Sequence, residues 1–404
     1  MTVGVTGTNG KTSTTTWVAA ALGAIARPVA RVTTLGSFLD GESLDVEASY
    51  DGFLETMRLA STRGARYAAI ELTSEALALG FAGAWPCRVG VFTNLSHDHL
   101  DAHGSPEHYL ASKAQLFVHL PPGGAAVLNG RDPASKLLEE IIPAGVRVLS
   151  YGLQGARDAQ DSRNGEPYDL LVRDAEVTWE GTRVSLEAKG AIGPVPGELR
   201  LRAIGLIYAE NAIAALAAAI AAGAPAEAAA RAIEATPPPP GRFEVVSAEP
   251  HVVVDYAHTP DALARTLETA RSLCRGALVV VFGAGGNRDR AKRAPMGAAA
   301  AIADRVVLTS DNPRDEDPAA IVAAIREGLS GHRDIDVELD RAAAIASAIE
   351  RAAPDDVVVI AGKGHERDQT AGDARRPFSD VDIARTAAAR RSLAGGEVSR
   401  SRGR

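Results

Sequence analysis

Short apolar runs rich in β-branched residues alternate with Ala-rich stretches of helical spacing along most of the chain, the pattern of strand–helix units around a parallel sheet. Residues 2–6 predict a strand and 11–26 the helix that follows it. Residues 67–72 and 89–93 predict further buried strands, each bounded by polar or Gly-containing segments. Between 154 and 168 the chain turns polar and Gly-containing, which predicts a long surface loop. Residues 177–186 alternate as an antiparallel pair at a domain edge, and 206–222 and 225–235 predict two helices. Four prolines at 237–240 then break the pattern, because they cannot continue a helix and favour an extended link. Beyond them the alternation restarts, with strands expected at 252–255, 278–282, 306–309 and 357–361 and helices such as 261–274 and 319–329. The chain therefore divides into residues 1–236, a Pro-rich linker at 237–242, a second α/β domain at 243–390 and a flexible Ser-, Gly- and Arg-rich tail at 391–404.

Composition narrows the function without choosing it. With 404 residues, 46% of them hydrophobic, the chain can bury more than one core and is not a disordered protein. A net charge of -8 gives no reason to expect nucleic acid or an anionic membrane as partner. Cys87 and Cys274 are too few for a disulfide scaffold, no signal peptide is visible, and the Ala-rich runs are too short to span a bilayer. These features predict a soluble cytoplasmic protein.

The strongest local motif is Gly4-Val5-Thr6-Gly7-Thr8-Asn9-Gly10-Lys11-Thr12-Ser13, set between a predicted strand and helix. Glycines let backbone N–H groups close around phosphate, and the helix N-terminus adds a favourable dipole. Lys11 would neutralise a terminal phosphate and Thr12 would place a hydroxyl on Mg²⁺. The strict P-loop pattern is missed by one position, since Val5 stands where its first glycine belongs. A second cluster, Thr93-Asn94-Leu95-Ser96-His97-Asp98-His99-Leu100-Asp101, precedes Tyr109 and Lys113 and holds part of a group of four of the nine histidines. Taken alone these are solvated loop histidines or metal ligands, with nearby carboxylates favouring Mg²⁺ over zinc.

Together these motifs resemble the Mur ligase family, and within it the MurE type. Further matches follow in collinear order: Asn211, Gly241-Arg242-Phe243-Glu244, Asp255-Tyr256-Ala257-His258-Thr259-Pro260-Asp261, Gly285-Gly286-Asn287-Arg288-Asp289, Asp311-Asn312-Pro313-Arg314 and Gly362-Lys363-Gly364-His365-Glu366. The resemblance implies an α/β fold, with a P-loop central ATPase domain on a mainly parallel sheet and a Rossmann-like C-terminal domain that binds an amino acid. It implies a monomer acting on small molecules, an ATP-dependent, ADP-forming amide ligase that activates an acceptor carboxylate as an acyl phosphate and joins it to an amine. By the same resemblance Gly7, Thr8, Asn9, Gly10, Lys11, Thr12, Ser13, Asn211, Arg242 and Asp255 bind ATP. Two Mg²⁺ sites fall to Thr12, Glu71, His99 and Lys113, with Lys113 carrying a CO₂-derived carbamate; without the family it reads as an exposed helical lysine. Lys11, Glu71, His99 and Lys113 form the catalytic set. Arg288, Asp311, Asn312, Arg314, Gly362 and Glu366 form the amino-acid pocket, for which meso-diaminopimelate is the implied substrate, while Ser74 faces the acceptor. Outside the family, Arg242, Asp255 and Asn211 read as a surface arginine, a strand-end cap and a helix N-cap.

Three departures concern the acceptor. The P-loop begins at residue 4, so the UDP-binding N-terminal domain of MurE-type ligases is expected to be missing. Where the family reads Thr-Thr-Pro the chain has Ser49-Tyr50-Asp51, and Ser-Ser-His-Gly-Leu is replaced by Thr73-Ser74-Glu75-Ala76-Leu77. Phe81 stands for an arginine that meets the acceptor, and Tyr208 for an asparagine near Asn211. Three readings follow: a truncated cell-wall ligase, a ligase retargeted to a small acceptor lacking UDP, or an ATP-binding regulator or scaffold that makes no amide.

Overall fold

The computed structural model describes residues 1–96, 98, 103–154 and 168–401. It separates into two compact units, one of residues 1–96 and 103–239, the other of residues 97–102 and 240–404. The division falls inside the expected linker. Most of the polar loop expected at 154–168, residues 155–167, lies outside the described residues.

The first unit is built on an eleven-stranded sheet. Thr2–Thr6 lies near its middle, buried along its whole length, with Tyr67–Glu71 and Val89–Phe92 parallel on either side. Ala125–Asn129, Arg147–Leu153 and Leu170–Thr178 continue the parallel run beyond Val89–Phe92, and Val29–Thr33 flanks Tyr67–Glu71. Both ends turn antiparallel. Leu170–Thr178 pairs with Gly181–Ala188 in a hairpin wider than the pair expected at 177–186, and Glu198–Leu201 is added beyond it, while Gly36–Leu39 and Glu42–Leu44 extend the opposite edge. Sequence patterning shows neither of these last two strands, since short edge strands carry no continuous apolar run. Helix Lys11–Leu22 packs against Leu206–Ala221, whose alanines from Ala212 to Ala219 are buried on all sides. That helix is apolar all round because it is a core element.

Among the described residues the second unit holds a six-stranded sheet in the order Glu244–Ala248, His251–Asp255, Val357–Ala361, Leu278–Phe282, Arg305–Leu308 and Ile335–Val337, and a separate antiparallel pair, Asp368–Ala371 with Ala374–Pro377. All pairs of the six-stranded sheet are parallel except the first. Chain order thus doubles back at Val357–Ala361, and in such sheets ligands gather at the carboxyl ends of the strands. Val252, Val279, Val358 and Ile360 pack with Ile345, Ile349 and Ala384 to make this unit's core. The backbone is helical through Asp380–Ser401, which takes in residues 391–401 of the expected tail. The Ala- and Arg-rich run at 384–391 favours helix, and Arg391 fastens it by donating to the carbonyls of Ile349 and Glu350. No helix among the described residues is long and apolar enough to cross a membrane.

Candidate active site

In the first unit the Gly-rich loop leaves the carboxyl end of Thr2–Thr6 and enters helix Lys11–Leu22 through Gly10, whose φ of 85° suits glycine. Among the described residues no side chain caps the N-terminus of this helix, whose dipole favours an anion. The loop is fastened to the segment after Val89–Phe92. Thr8 N donates to Asn94 O, Asn9 N to Asn94 Oδ1, and Thr93 Oγ1 to Asn9 O at 2.6 Å. A Cβ on Gly7 would lie 1.9 Å from Thr93 Oγ1, so only glycine permits this approach. Asn211 sits inside helix Leu206–Ala221 rather than at its N-cap, and its side chain packs over Gly10, where an added Cβ would be 2.2 Å from Asn211 Oδ1. Ser13 is buried behind the loop.

Lys11 Nζ folds back to donate to the carbonyls of Gly7 and Thr8 at 3.1 and 2.9 Å. Thr12 Oγ1 donates to Glu71 Oε2 at 2.9 Å, and Thr34 N and Oγ1 donate to the same oxygen. Two residues 59 positions apart are thereby brought together. Lys113 is 1% exposed, so it is no surface lysine; its Nζ donates to Gly7 O at 2.9 Å and lies 4.2 Å from the centre of the Tyr109 ring. His99 lies outside the described residues. Among the described residues no group of three or more His, Cys, Asp or Glu gathers as a metal cage. A hydroxyl, a carboxylate and a phosphate-ready loop are nevertheless the oxygen-rich setting that Mg²⁺ takes, with the nucleotide supplying further oxygens.

Ser74 is buried at the start of helix Ser74–Ala78 and is held by His103 Nε2 at 2.9 Å. The other ring nitrogen of His103 lies 3.3 Å from Ser112 Oγ. Neither His103 nor Ser112 was marked by sequence, although His103 belongs to the histidine-rich stretch.

In the second unit the guanidinium of Arg242 stacks 4.4 Å from the centre of the Tyr256 ring. Tyr256 in turn faces His365 at 5.0 Å. Burial, with Arg242 and Arg367 nearby, pushes the His365 imidazole down to about 4, so it is neutral at pH 7. Asp255 caps its strand end: its carboxylate accepts from Phe243 N, Ala257 N and Thr266 Oγ1. Burial raises its pKa, and Arg242 together with these hydrogen bonds opposes the shift.

The residues expected to hold an amino acid gather at the carboxyl ends of Leu278–Phe282, Arg305–Leu308 and Val357–Ala361. Asn312 Nδ2 donates to Glu366 Oε2 at 3.0 Å, and its Oδ1 accepts from Thr370 N and from Lys363 Nζ. Lys363 Nζ also reaches Glu366 Oε2 at 2.7 Å. Arg314, with φ 52°, donates to the carbonyl of Gly286 at 2.7 Å. A Cβ on Gly285 would lie 3.1 Å from Arg314 Nη1 and 3.6 Å from Cγ of the exposed Arg288, which places both arginines at one loop. Gly362 likewise lets Asp311 Oδ2 approach. Beneath them the fully buried pair Arg341–Asp380 joins the strand ends, with Arg341 Nη2 donating to Asp380 Oδ2 at 2.7 Å and to Ala361 O. Lys363 and this pair escaped the sequence reading, and only the motif Gly362-Lys363-Gly364 could have pointed to the lysine.

Comparison with known proteins accords with this geometry. The Mur ligase middle domain matches residues 5–219, and the Mur ligase, glutamate ligase domain matches residues 241–364. The chain is 40% identical over 396 residues to UDP-N-acetylmuramoyl-L-alanyl-D-glutamate--2,6-diaminopimelate ligase of Thermosynechococcus vestitus, covering 95% of this chain and 76% of that protein. It is 41% identical over 384 residues to the protein of the same name from Alkalilimnicola ehrlichii, covering 94% and 74%. A solved structure of a ligase of that name superimposes with a TM-score of 0.62 at 34% identity, covering 97% of this chain and 78% of the other. Mycobacterium tuberculosis folylpolyglutamate synthase complexed with ADP and AMPPCP gives a TM-score of 0.69 at 24% identity, covering 97% and 90%, a likeness of fold.

Proposed function

Because the chain belongs to the Mur ligase family and is an ATP-dependent, ADP-forming ligase, we propose that it joins an acceptor carboxylate to the amine of meso-diaminopimelate or a similar amino acid. The approach of Thr12 to Glu71 beside the Gly-rich loop carries this reading. In the first half-reaction a carboxylate oxygen attacks the γ-phosphorus of ATP, the bond to the bridging oxygen breaks, and ADP leaves. The amine then attacks the acyl carbon, phosphate departs, and the amine gives up a proton. The uncapped N–H groups of helix Lys11–Leu22 and the Lys11 ammonium would bind and orient the phosphates, since transfer between anions is chiefly positioning and charge neutralisation. Bound Mg²⁺ supplies further neutralisation of the phosphate oxygens. Thr12 would hold one ion, and Glu71 and His99 the second, with Glu71 near both and a carbamylated Lys113 stabilising the metal site.

Arg314, Arg288, Asn312 and Glu366 suit a substrate with two carboxylates and two ammonium groups, because a guanidinium grips a carboxylate through paired hydrogen bonds. The assay is ADP release by the purified chain with Mg²⁺, bicarbonate and meso-diaminopimelate, using UDP-N-acetylmuramoyl-L-alanyl-D-glutamate and small γ-glutamyl compounds as acceptors. Turnover abolished by Lys11→Met is expected. Silence with every acceptor despite tight ATP binding would defeat the ligase reading. A ¹³C carbamate resonance lost in Lys113→Arg is the expected sign of the modified lysine.

A further inference from the structure

A pocket of about 890 Å³ opens beside Glu71 in the first unit. It lies between the end of Val29–Thr33, the entry to helix Tyr50–Thr62 and the helices Ser74–Ala78 and Phe81–Ala84. Its volume is that of a site for a small organic molecule. Val32, Leu35, Val46, Phe53, Leu79 and Phe81 contribute its walls. Phe53 and Phe81 meet edge to face at 5.0 Å, and Tyr50 stacks on Phe53 at 6.1 Å. Leu79 is 88% exposed and Tyr50 47%, so apolar surface is presented at the rim as well as inside. Among the described residues the charged side chains lining the pocket are Glu47 and Glu71, with no lysine or arginine among them.

From this we infer that the pocket receives the body of the acceptor, and that this body is uncharged and apolar, a ring or branched acyl group. The acceptor's carboxylate would then stand at the Glu71 end, near the Gly-rich loop. The inference rests on the ligase reading above and supplies what that reading leaves open. A phosphorylated sugar in this space would bring negative charge to walls whose own charges are negative, with no cation to offset its lost hydration. An aromatic or branched group would instead cover Tyr50, Phe81 and Leu79 and gain about 25 cal/mol for each Å² of apolar surface removed from water.

The test is calorimetric titration of the full chain, without ATP, with N-(2-naphthoyl)-D-glutamate, N-acetyl-D-glutamate and UDP-N-acetylmuramoyl-L-alanyl-D-glutamate. The naphthoyl compound is expected to bind at least tenfold more tightly than either of the others. Leu35→Asp should erase that preference, and Phe81→Arg should turn it towards the UDP compound, while both variants keep wild-type ATP affinity. Equal binding of the naphthoyl and acetyl compounds, or tightest binding of the UDP compound by wild type, overturns the inference. So does a preference left unchanged in Leu35→Asp. Because binding is read without turnover, tight naphthoyl binding with no ADP release from any acceptor would uphold the pocket and defeat the ligase reading instead.

Discussion

Around Asn312, Lys363, Glu366 and the Thr370 N–H answer one another within 3.0 Å, and the buried Arg341–Asp380 pair braces the strand ends below. Beside Glu71 the opposite construction prevails: a roomy pocket with apolar and aromatic walls. A site of fixed polar partners rejects a ligand lacking one group by large factors, because its own groups are then left unpaired. An apolar pocket discriminates weakly, by about 10- to 200-fold per methylene. With the two sites assigned as proposed above, the comparison teaches that a ligase of this build would hold its amino acid stringently and its acceptor permissively.

The contrast breaks first at its foundation. Arg341→Met strands Asp380 in a fully buried position and should cost the second unit about 3–5 kcal/mol, measured by denaturant unfolding. A loss under 1 kcal/mol would mean that the pair is not what braces the polar cluster. Next in size is the effect on substrate use. Lys363→Met, which leaves Asn312 Oδ1 and Glu366 short of a donor, should raise KM for the amino acid by about 100-fold, as truncating one partner of a buried charged pair does. Phe81→Leu in the pocket should change acceptor KM by less than about tenfold. Equal effects of the two substitutions would dissolve the comparison.

A smaller effect sharpens it through pH. Two hydrogen bonds from the Arg293 guanidinium hold the Glu316 carboxyl down at about 2. A carboxyl whose folded pKa is depressed stabilises the fold above its unfolded value of 4.5, and that stability is lost as pH falls from there towards 2. Glu316→Gln should therefore lower stability by about 1–2 kcal/mol at pH 7, and the gap to wild type should close in acid melts between those limits.

Strands Leu278–Phe282 and Val357–Ala361 fall at the residues the sequence predicts, because a strand buried on both faces reads as an unbroken run of β-branched residues. The loop from Gly7 to Thr12 was equally legible, since its parts are neighbours in the chain. Edge strand Glu42–Leu44 is too short to leave a pattern. Thr34, Lys363 and Arg341 matter through partners that only folding supplies, Lys363 meeting Asn312 across 51 positions and Arg341 meeting Asp380 across 39. The departures near Ser49-Tyr50-Asp51 and Phe81 could be seen in the sequence, but not that they share one pocket.

The burial of Lys113 and Lys363 has a bearing on side reactions. An acyl phosphate is captured by primary amines, whereas guanidinium groups stay protonated and inert. The lysines are Lys11, Lys113, Lys136, Lys189, Lys292 and Lys363, and of these only Lys136 and Lys189 are exposed. The cationic surface is otherwise arginine, so the protein offers its own activated product few competing nucleophiles. Among the lysines, brief treatment with an amine acylating reagent, followed by peptide mapping, should mark Lys136 and Lys189 first and leave Lys113 and Lys363 untouched until the chain unfolds.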